Sequence, residues 1–192
     1  ESLSKVAASV SAVSAADFGV GGVKDVQSLA TAIPNLSVGD QFGVNRIFIR
    51  GIGLTSIDLG ADGGVAFLQD GAQIARPAAQ LSGFYDLERV EVLRGPQGTL
   101  FGRNATSGVV NFIPQRPDLT GFKGSGEIEY GNFDAIKAKG MVNLPISDTL
   151  GVRVAGFYMK RDGYTENVFD GSKLDGRDMY SVRGSLRWEP TD

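Results

Sequence analysis

Two textures of hydrophobic patterning divide the chain. Up to about residue 121, apolar positions come in short runs broken by Gly, Asp and Pro; beyond it they alternate with polar residues over longer stretches. In the first part, residues 6–13 are small and β-branched and read as a strand. Asp25 predicts an N-cap for a helix over residues 26–33, ended by Pro34. Val26, Leu29, Ala30 and Ile33 fall at helical spacing and are expected to face a small core. Residues 45–50 read as a strand closed by Gly51, and Val65–Gln69 as another, followed by the turn pair Asp70-Gly71. An alternating strand over residues 89–93 runs into a glycine-rich loop, which runs into a second short strand over residues 109–113.

The alternation is cleanest over residues 178–189. Tyr180, Val182, Gly184, Leu186 and Trp188 take one face, and Met179, Ser181, Arg183, Ser185 and Arg187 the other. A soluble sandwich would alternate too, with its apolar face inward. Here Tyr180 and Trp188 bracket an apolar face about 26 Å long at ~3.3 Å per residue. That is close to the lipid-facing band of a membrane barrel between its aromatic girdles. Residues 125–130, 135–144 and 150–160 predict three more strands, less cleanly patterned, because Phe157 and Met159 fall among the polar positions. Ser147-Asp148-Thr149 is a short turn, as expected on the periplasmic side. Residues 161–177 are long, polar and rich in Asp-Gly pairs, as expected outside the cell, where the 131–134 connection would also lie.

Composition narrows the chemistry. There is no His and no Cys, which removes Cys/His zinc sites, thiol nucleophiles and Ser-His-Asp arrangements together. The net charge of −3 gives no basic footprint for nucleic acid. No apolar run is long enough for a transmembrane helix. No signal peptide is visible, so the N-terminus is expected to be that of a processed or trimmed chain. The glycines at 95, 98, 102 and 108 lack the lysine of a phosphate loop, and a strand rather than a helix follows them. Asp170, Asp175 and Asp178 lack EF-hand spacing, so a solvated loop is expected and no metal site. Asn104-Ala105-Thr106 matches a glycosylation sequon by coincidence. The acidic residues offer no convincing catalytic pair; no enzyme and no catalytic residue is expected.

Arg94-Gly95-Pro96-Gln97-Gly98 and Gly102-Arg103-Asn104-Ala105-Thr106 carry a resemblance to the plug domain of TonB-dependent outer-membrane receptors. Ile49-Arg50-Gly51 and Gln69-Asp70-Gly71 sit where plugs carry Arg-Gly and Asp-Gly turns. Residues 2–10 look like the segment after the family's coupling box, and residues 111–117 like the exit from plug to barrel, with Pro114 where the family often has a β-branched residue. The resemblance implies an α+β plug domain over residues 1–121. It is followed over residues 122–192 by about four antiparallel strands of an incomplete transmembrane β-barrel, 22-stranded in the family. A barrel of that size needs at least ~200 residues in its strands alone, so the chain is expected to be the N-terminal piece of a receptor.

The resemblance further implies ligand-gated uptake of a scarce nutrient, most often an iron-siderophore, across the outer membrane of a Gram-negative bacterium. TonB would drive it through a box missing ahead of Ser2. The other partners implied are the remaining barrel strands, outer-membrane lipid and a small-molecule ligand; no cofactor is expected beyond a ligand that is an iron chelate. Arg50 and Arg94 would lock the plug to glutamates on the inner barrel wall, with Glu88 and Glu91 in the same network. Gly95, Pro96, Gln97, Gly98, Gly102, Arg103 and Asn104 form the signature loop. Thr55, Ser56, Gln73 and Arg76 lie on loops expected to meet ligand. The rival reading is a soluble plug-like periplasmic binding module without transport activity; the alternating tail with Tyr180 and Trp188 argues against it.

Overall fold

The computed structural model describes residues 9–18, 22–41, 44–56, 63–74 and 84–190. Contacts divide the chain into two compact units, Glu1–Pro114 and Gln115–Asp192.

In the first unit, β1 (Ser9–Ser14), β5 (Val65–Gln69), β6 (Ala72–Gln73), β7 (Leu87–Arg94) and β8 (Gly108–Pro114) form a five-stranded sheet in the order β1-β7-β8-β5-β6. β5 and β8 run parallel, and the other neighbours are antiparallel. A second sheet joins β2 (Leu36–Gln41), β3 (Val44–Ile49) and β4 (Ile52–Gly53). The main core gathers Val13, Leu29, Ile33, Ile49, Phe67, Val90, Val92, Val110 and Phe112. Phe67 and Phe112 meet at 4.6 Å between ring centroids. Ala66, Leu68 and Val109, on the opposite face, pack with Ala105 in a smaller cluster. β8 is therefore buried on both faces, which explains why residues 109–113 are nearly all apolar instead of alternating.

The expected helix over 26–33 shrinks to one turn, α1 (Leu29–Ala32). Asp25 does not cap it: the N-cap is Ser28. Asp25 instead closes a turn ahead of the helix, in which Ser28 N–H donates to Asp25 Oδ1 at 2.7 Å and Ser28 Oγ donates to the Asp25 carbonyl. These side chains compete with helical backbone bonds for the same groups. The apolar spacing still works, since Val26, Leu29 and Ile33 are all buried. The expected strand over residues 6–13 appears from Ser9 onward; its first residues lie outside the described ones. β2 was not anticipated, although Leu36 and Val38 alternate in it.

In the second unit, β9 (Lys123–Gly131), β10 (Ala135–Ser147), β11 (Leu150–Arg161) and β14 (Arg177–Trp188) make an antiparallel sheet in the order β14-β11-β10-β9. Two short strands, β12 (Thr165–Glu166) and β13 (Lys173–Leu174), pair as a hairpin within the long connection. Register fixes the faces. Tyr180 pairs with Tyr158, Val182 with Gly156, Leu186 with Val152 and Trp188 with Leu150, all on one face. Tyr180 is 80% and Trp188 67% exposed on it. The other face carries Glu129–Lys137 and Glu127–Lys139 ion pairs at 3.6 and 3.0 Å. Phe157 and Met159 do fall on that polar face, where Phe157 pairs with Ser181 and Lys139.

The division after Pro114 falls earlier than the expected boundary at residue 121 because residues 117–121 are strapped to the strand sheet. Asn143, fully buried, accepts from Asp118 N–H at 2.8 Å. Its Nδ2 donates to the carbonyls of Asp118 at 2.8 Å and Gly121 at 3.0 Å. Arg187 Nη1 donates to the Pro117 carbonyl at 3.2 Å, and Gly151 leaves room for Leu119 and Pro117.

Asp118 also pairs with Lys123 and accepts from Thr120. The Lys123 bond, followed by those from Thr120, holds its carboxyl below the usual carboxylate range. A depressed folded value stabilises the fold above the ordinary carboxylate pKa and loses that contribution as pH falls through the folded one. The expected outcome is a small fall in melting temperature of the full chain under strong acid that Asp118→Asn removes. Equal acid sensitivity of the two proteins would count against it.

Candidate functional site

The signature run folds as the tip of the β7–β8 hairpin. Beyond Arg94, which pairs with Gly108, the ladder continues: Gly95 N–H donates to the Ser107 carbonyl and Gln97 N–H to that of Ala105, both at 2.8 Å. A one-turn helix, α2 (Gly98–Phe101), closes the tip, and Gly102 ends it with φ of +75°. Asn104 also adopts a left-handed φ, of 69°, which Asn tolerates better than most residues. Buried Ser107 ties the hairpin to its surroundings: its Oγ lies 2.9 Å from the Gly64 carbonyl and 3.1 Å from that of Ile52. Arg103 is exposed beside the tip.

Arg50 and Arg94 come together. Arg50-Gly51 is the two-residue turn between β3 and β4, and both residues have positive φ, 54° and 81°. A type I′ hairpin demands that, and it normally recruits Asn, Asp or Gly. Asp70-Gly71 repeats the pattern between β5 and β6, with φ of 50° and 81°. The Arg50 N–H donates to the Asn35 carbonyl at 2.9 Å, and Arg94 Nη1 reaches the Pro34 carbonyl at 3.3 Å. Both arginines thus meet the same Pro34–Asn35 corner. A Cβ on Gly95 would lie 3.9 Å from Arg50 Nη1, so the Arg50 guanidinium flanks the backbone just after Arg94. Arg94 Nε is buried without a hydrogen-bond partner among the described residues.

Glu88 and Glu91 are engaged within the plug. Arg89 Nε donates to Glu91 Oε1 at 2.7 Å, and Arg89 also pairs with Glu88. The Glu91 bond, ahead of the other effects, raises the Arg89 pKa. Buried Asn111 completes the cluster, reaching Glu91 Oε2 at 3.4 Å and accepting from Gly71 N–H at 3.2 Å.

Among the residues expected to meet ligand, Thr55 is exposed and Ser56 half-buried. Their loop is held by Arg46, which donates through Nε to the Leu54 carbonyl at 3.2 Å and through Nη2 to that of Thr55 at 2.7 Å. Gln73 is exposed on β6, and Arg76 lies outside the described residues. The structure does not unite Thr55, Ser56 and Gln73 in one described pocket. Sequence reading missed Arg46, Ser107 and Asn111, all polar residues within or beside strands. Only Arg46, in an otherwise apolar Ile-Phe-Ile neighbourhood, offered a signal.

The family model for the TonB-dependent receptor plug domain matches residues 2–109. The chain belongs to that family. It is 32% identical over 143 residues to the pesticin receptor of Yersinia pestis, spanning 72% of this chain and 20% of that receptor. It is 27% identical over 198 residues to the vitamin B12 transporter BtuB of Vibrio vulnificus, spanning 98% of this chain and 31% of the relative. The ferric yersiniabactin uptake receptor FyuA from Yersinia pestis superposes with a TM-score of 0.78 at 28% identity, covering 95% of this chain and 29% of that one. The chain therefore spans about a fifth to a third of the relatives it resembles. As a TonB-dependent receptor chain it is a plug followed by antiparallel strands of an outer-membrane barrel, and it resides in the outer membrane of a Gram-negative bacterium. The named family members are receptors and transporters, among them one solved in complex with pyocin S2 and one bound to pyoverdines.

Proposed function

We propose that the chain is the plug and first barrel strands of a gated importer of a scarce nutrient, an iron-siderophore chelate, driven by TonB and catalysing no reaction. The observation that carries this is the signature hairpin, with its arginine pair, in a chain that continues into strands with an apolar, aromatic-flanked outer face. That face also weighs against a soluble periplasmic module, since it leaves Tyr180, Val182, Leu186 and Trp188 open. The direct test is uptake by a strain producing the full-length receptor, offered labelled ferric chelates and cobalamin with and without TonB. Energy-dependent accumulation of a ferric chelate is expected; accumulation of cobalamin alone would move the substrate class.

Within this reading Arg50 and Arg94 lock the plug to carboxylates of the barrel wall. An arginine in left-handed backbone costs roughly 1–2 kcal/mol, and retaining it at a turn that suits Asn or Gly points to its guanidinium. Arg94 Nε, buried without a partner among the described residues, supports the same role, because a forked guanidinium suits a carboxylate. Glu88 and Glu91, already bridged by Arg89, would join the network as an acidic rim; Thr55, Ser56, Gln73 and Arg76 would contribute to ligand contact. Arg50→Asn is expected to leave plug stability unchanged or better by up to about 1 kcal/mol. Arg50→Asn with Arg94→Ala is expected to make cells producing the receptor sensitive to large antibiotics normally excluded by the outer membrane. Wild-type resistance in that double variant would remove the locking role.

A further inference from the structure

The chain is acidic as a whole, with a net charge of −3. At the base of the long connection the sign is reversed locally. A shallow, open cavity of about 480 Å³ lies at the surface where the long connection leaves the strand sheet; Lys160, Arg161, Lys173 and Arg177 line it with only Asp162 and Asp178 opposing them. The lysines come from different elements, Lys160 from β11 and Lys173 from β13. Arg161 is already held, its Nη2 donating to the Asp175 carbonyl at 2.8 Å and its guanidinium stacking 4.8 Å over Tyr164. That bracing fixes the cavity wall and leaves the two flexible ammonium groups as the adjustable charges.

Its position along the strands decides what would sit there. Lys160 and Asp178 pair with each other and continue the outward face two residues beyond the Tyr158–Tyr180 pair. Two residues span about 6.6 Å, so the lysine stands just past the aromatic ring of the lipid-facing band, at the level of lipid headgroups. This end carries the long connection, opposite the short Ser147–Leu150 turn, and is the extracellular one. Clusters of Lys and Arg at membrane–water boundaries recognise anionic headgroups, and lysine binds phosphate as a point charge.

We propose that this cavity is a docking site for a phosphate-bearing headgroup of an outer-leaflet lipid, with Lys160 and Lys173 as its principal contacts. The lipid holds the base of the long connection against the strand sheet. The site lies outside the plug and its arginines, so its failure would leave the uptake reading untouched.

The test uses the full-length receptor in detergent, titrated with bis-phosphorylated lipid A, with lipid A stripped of phosphate, and with inorganic phosphate, and read by native mass spectrometry. The expected result is retention of the phosphorylated lipid only, weakening as salt rises. K160A/K173A is expected to lose affinity about tenfold or more, and K160R/K173R to retain most of it, which separates charge loss from misfolding. Equal binding of the dephosphorylated lipid, or unchanged binding by K160A/K173A, would overturn the proposal. Displacement of the lipid by inorganic phosphate at equal concentration would also overturn it, leaving a site for free anions.

Discussion

Gly108→Ala is expected to cost the plug about 3 kcal/mol or more. A Cβ at this position would lie 2.3 Å from the Leu93 carbonyl oxygen and 2.7 Å from Ile49 Cδ1, and φ is +157°. The first contact is with backbone in the central strand pair, so it cannot be relieved by rotating a side chain. Gly98, in the same signature run, is the control. Nothing lies within 4 Å of the Cβ it would carry, and it opens α2, where alanine is a good helix former. Gly98→Ala should therefore stay within about 0.5 kcal/mol of the parent. Protease protection of the plug in the purified full-length receptor reads both variants; equal protection of the two would show that the hairpin relaxes around the new methyl.

Asn143→Ala is expected to release the strap over residues 117–121. The side chain makes three hydrogen bonds while fully buried, and alanine leaves the Asp118 N–H and two carbonyls unmatched. A loss of about 3 kcal/mol follows for such a group. Hydrogen exchange at the Asp118 amide would then speed about 100-fold, if local opening governs it. Asn143→Asp should do no better, since its carboxylate keeps the acceptor but faces the two carbonyls. An unchanged Asp118 amide in Asn143→Ala would mean that Arg187 and Gly151 suffice to hold the strap.

The strands of the second unit were legible because their burial is one-sided: period-two alternation survives wherever one face is apolar and the other polar. The β7–β8 pair was legible for the opposite reason, as a strand, a glycine-rich loop and an apolar strand in fixed order. The helix over 26–33 was overestimated because apolar spacing reports a buried face and not backbone hydrogen bonding, which Asp25 and Ser28 redirect. The candidate site was readable only as residue types. That Arg50 and Arg94 share the Pro34–Asn35 corner depends on pairing across distant segments, and Arg89 bridging Glu88 and Glu91 depends on rotamers, neither of which a single sequence encodes locally.

The strand order β1-β7-β8-β5-β6 sets a schedule for assembly. β1 has β7 as its neighbour, with Ser9 opposite Arg94, and β5 needs β8 for its parallel partner, with Val65 opposite Gly108. A chain exported from its N-terminus therefore delivers both early strands well before the pair that joins them. Until β7 and β8 arrive, β1 is an unpaired edge and the Phe67 side of β5 is uncovered. Such long-range pairing is slow and exposes sticky intermediates. The first unit is therefore expected to be vulnerable to other chains in transit, with its last strand, not its first, completing the sheet.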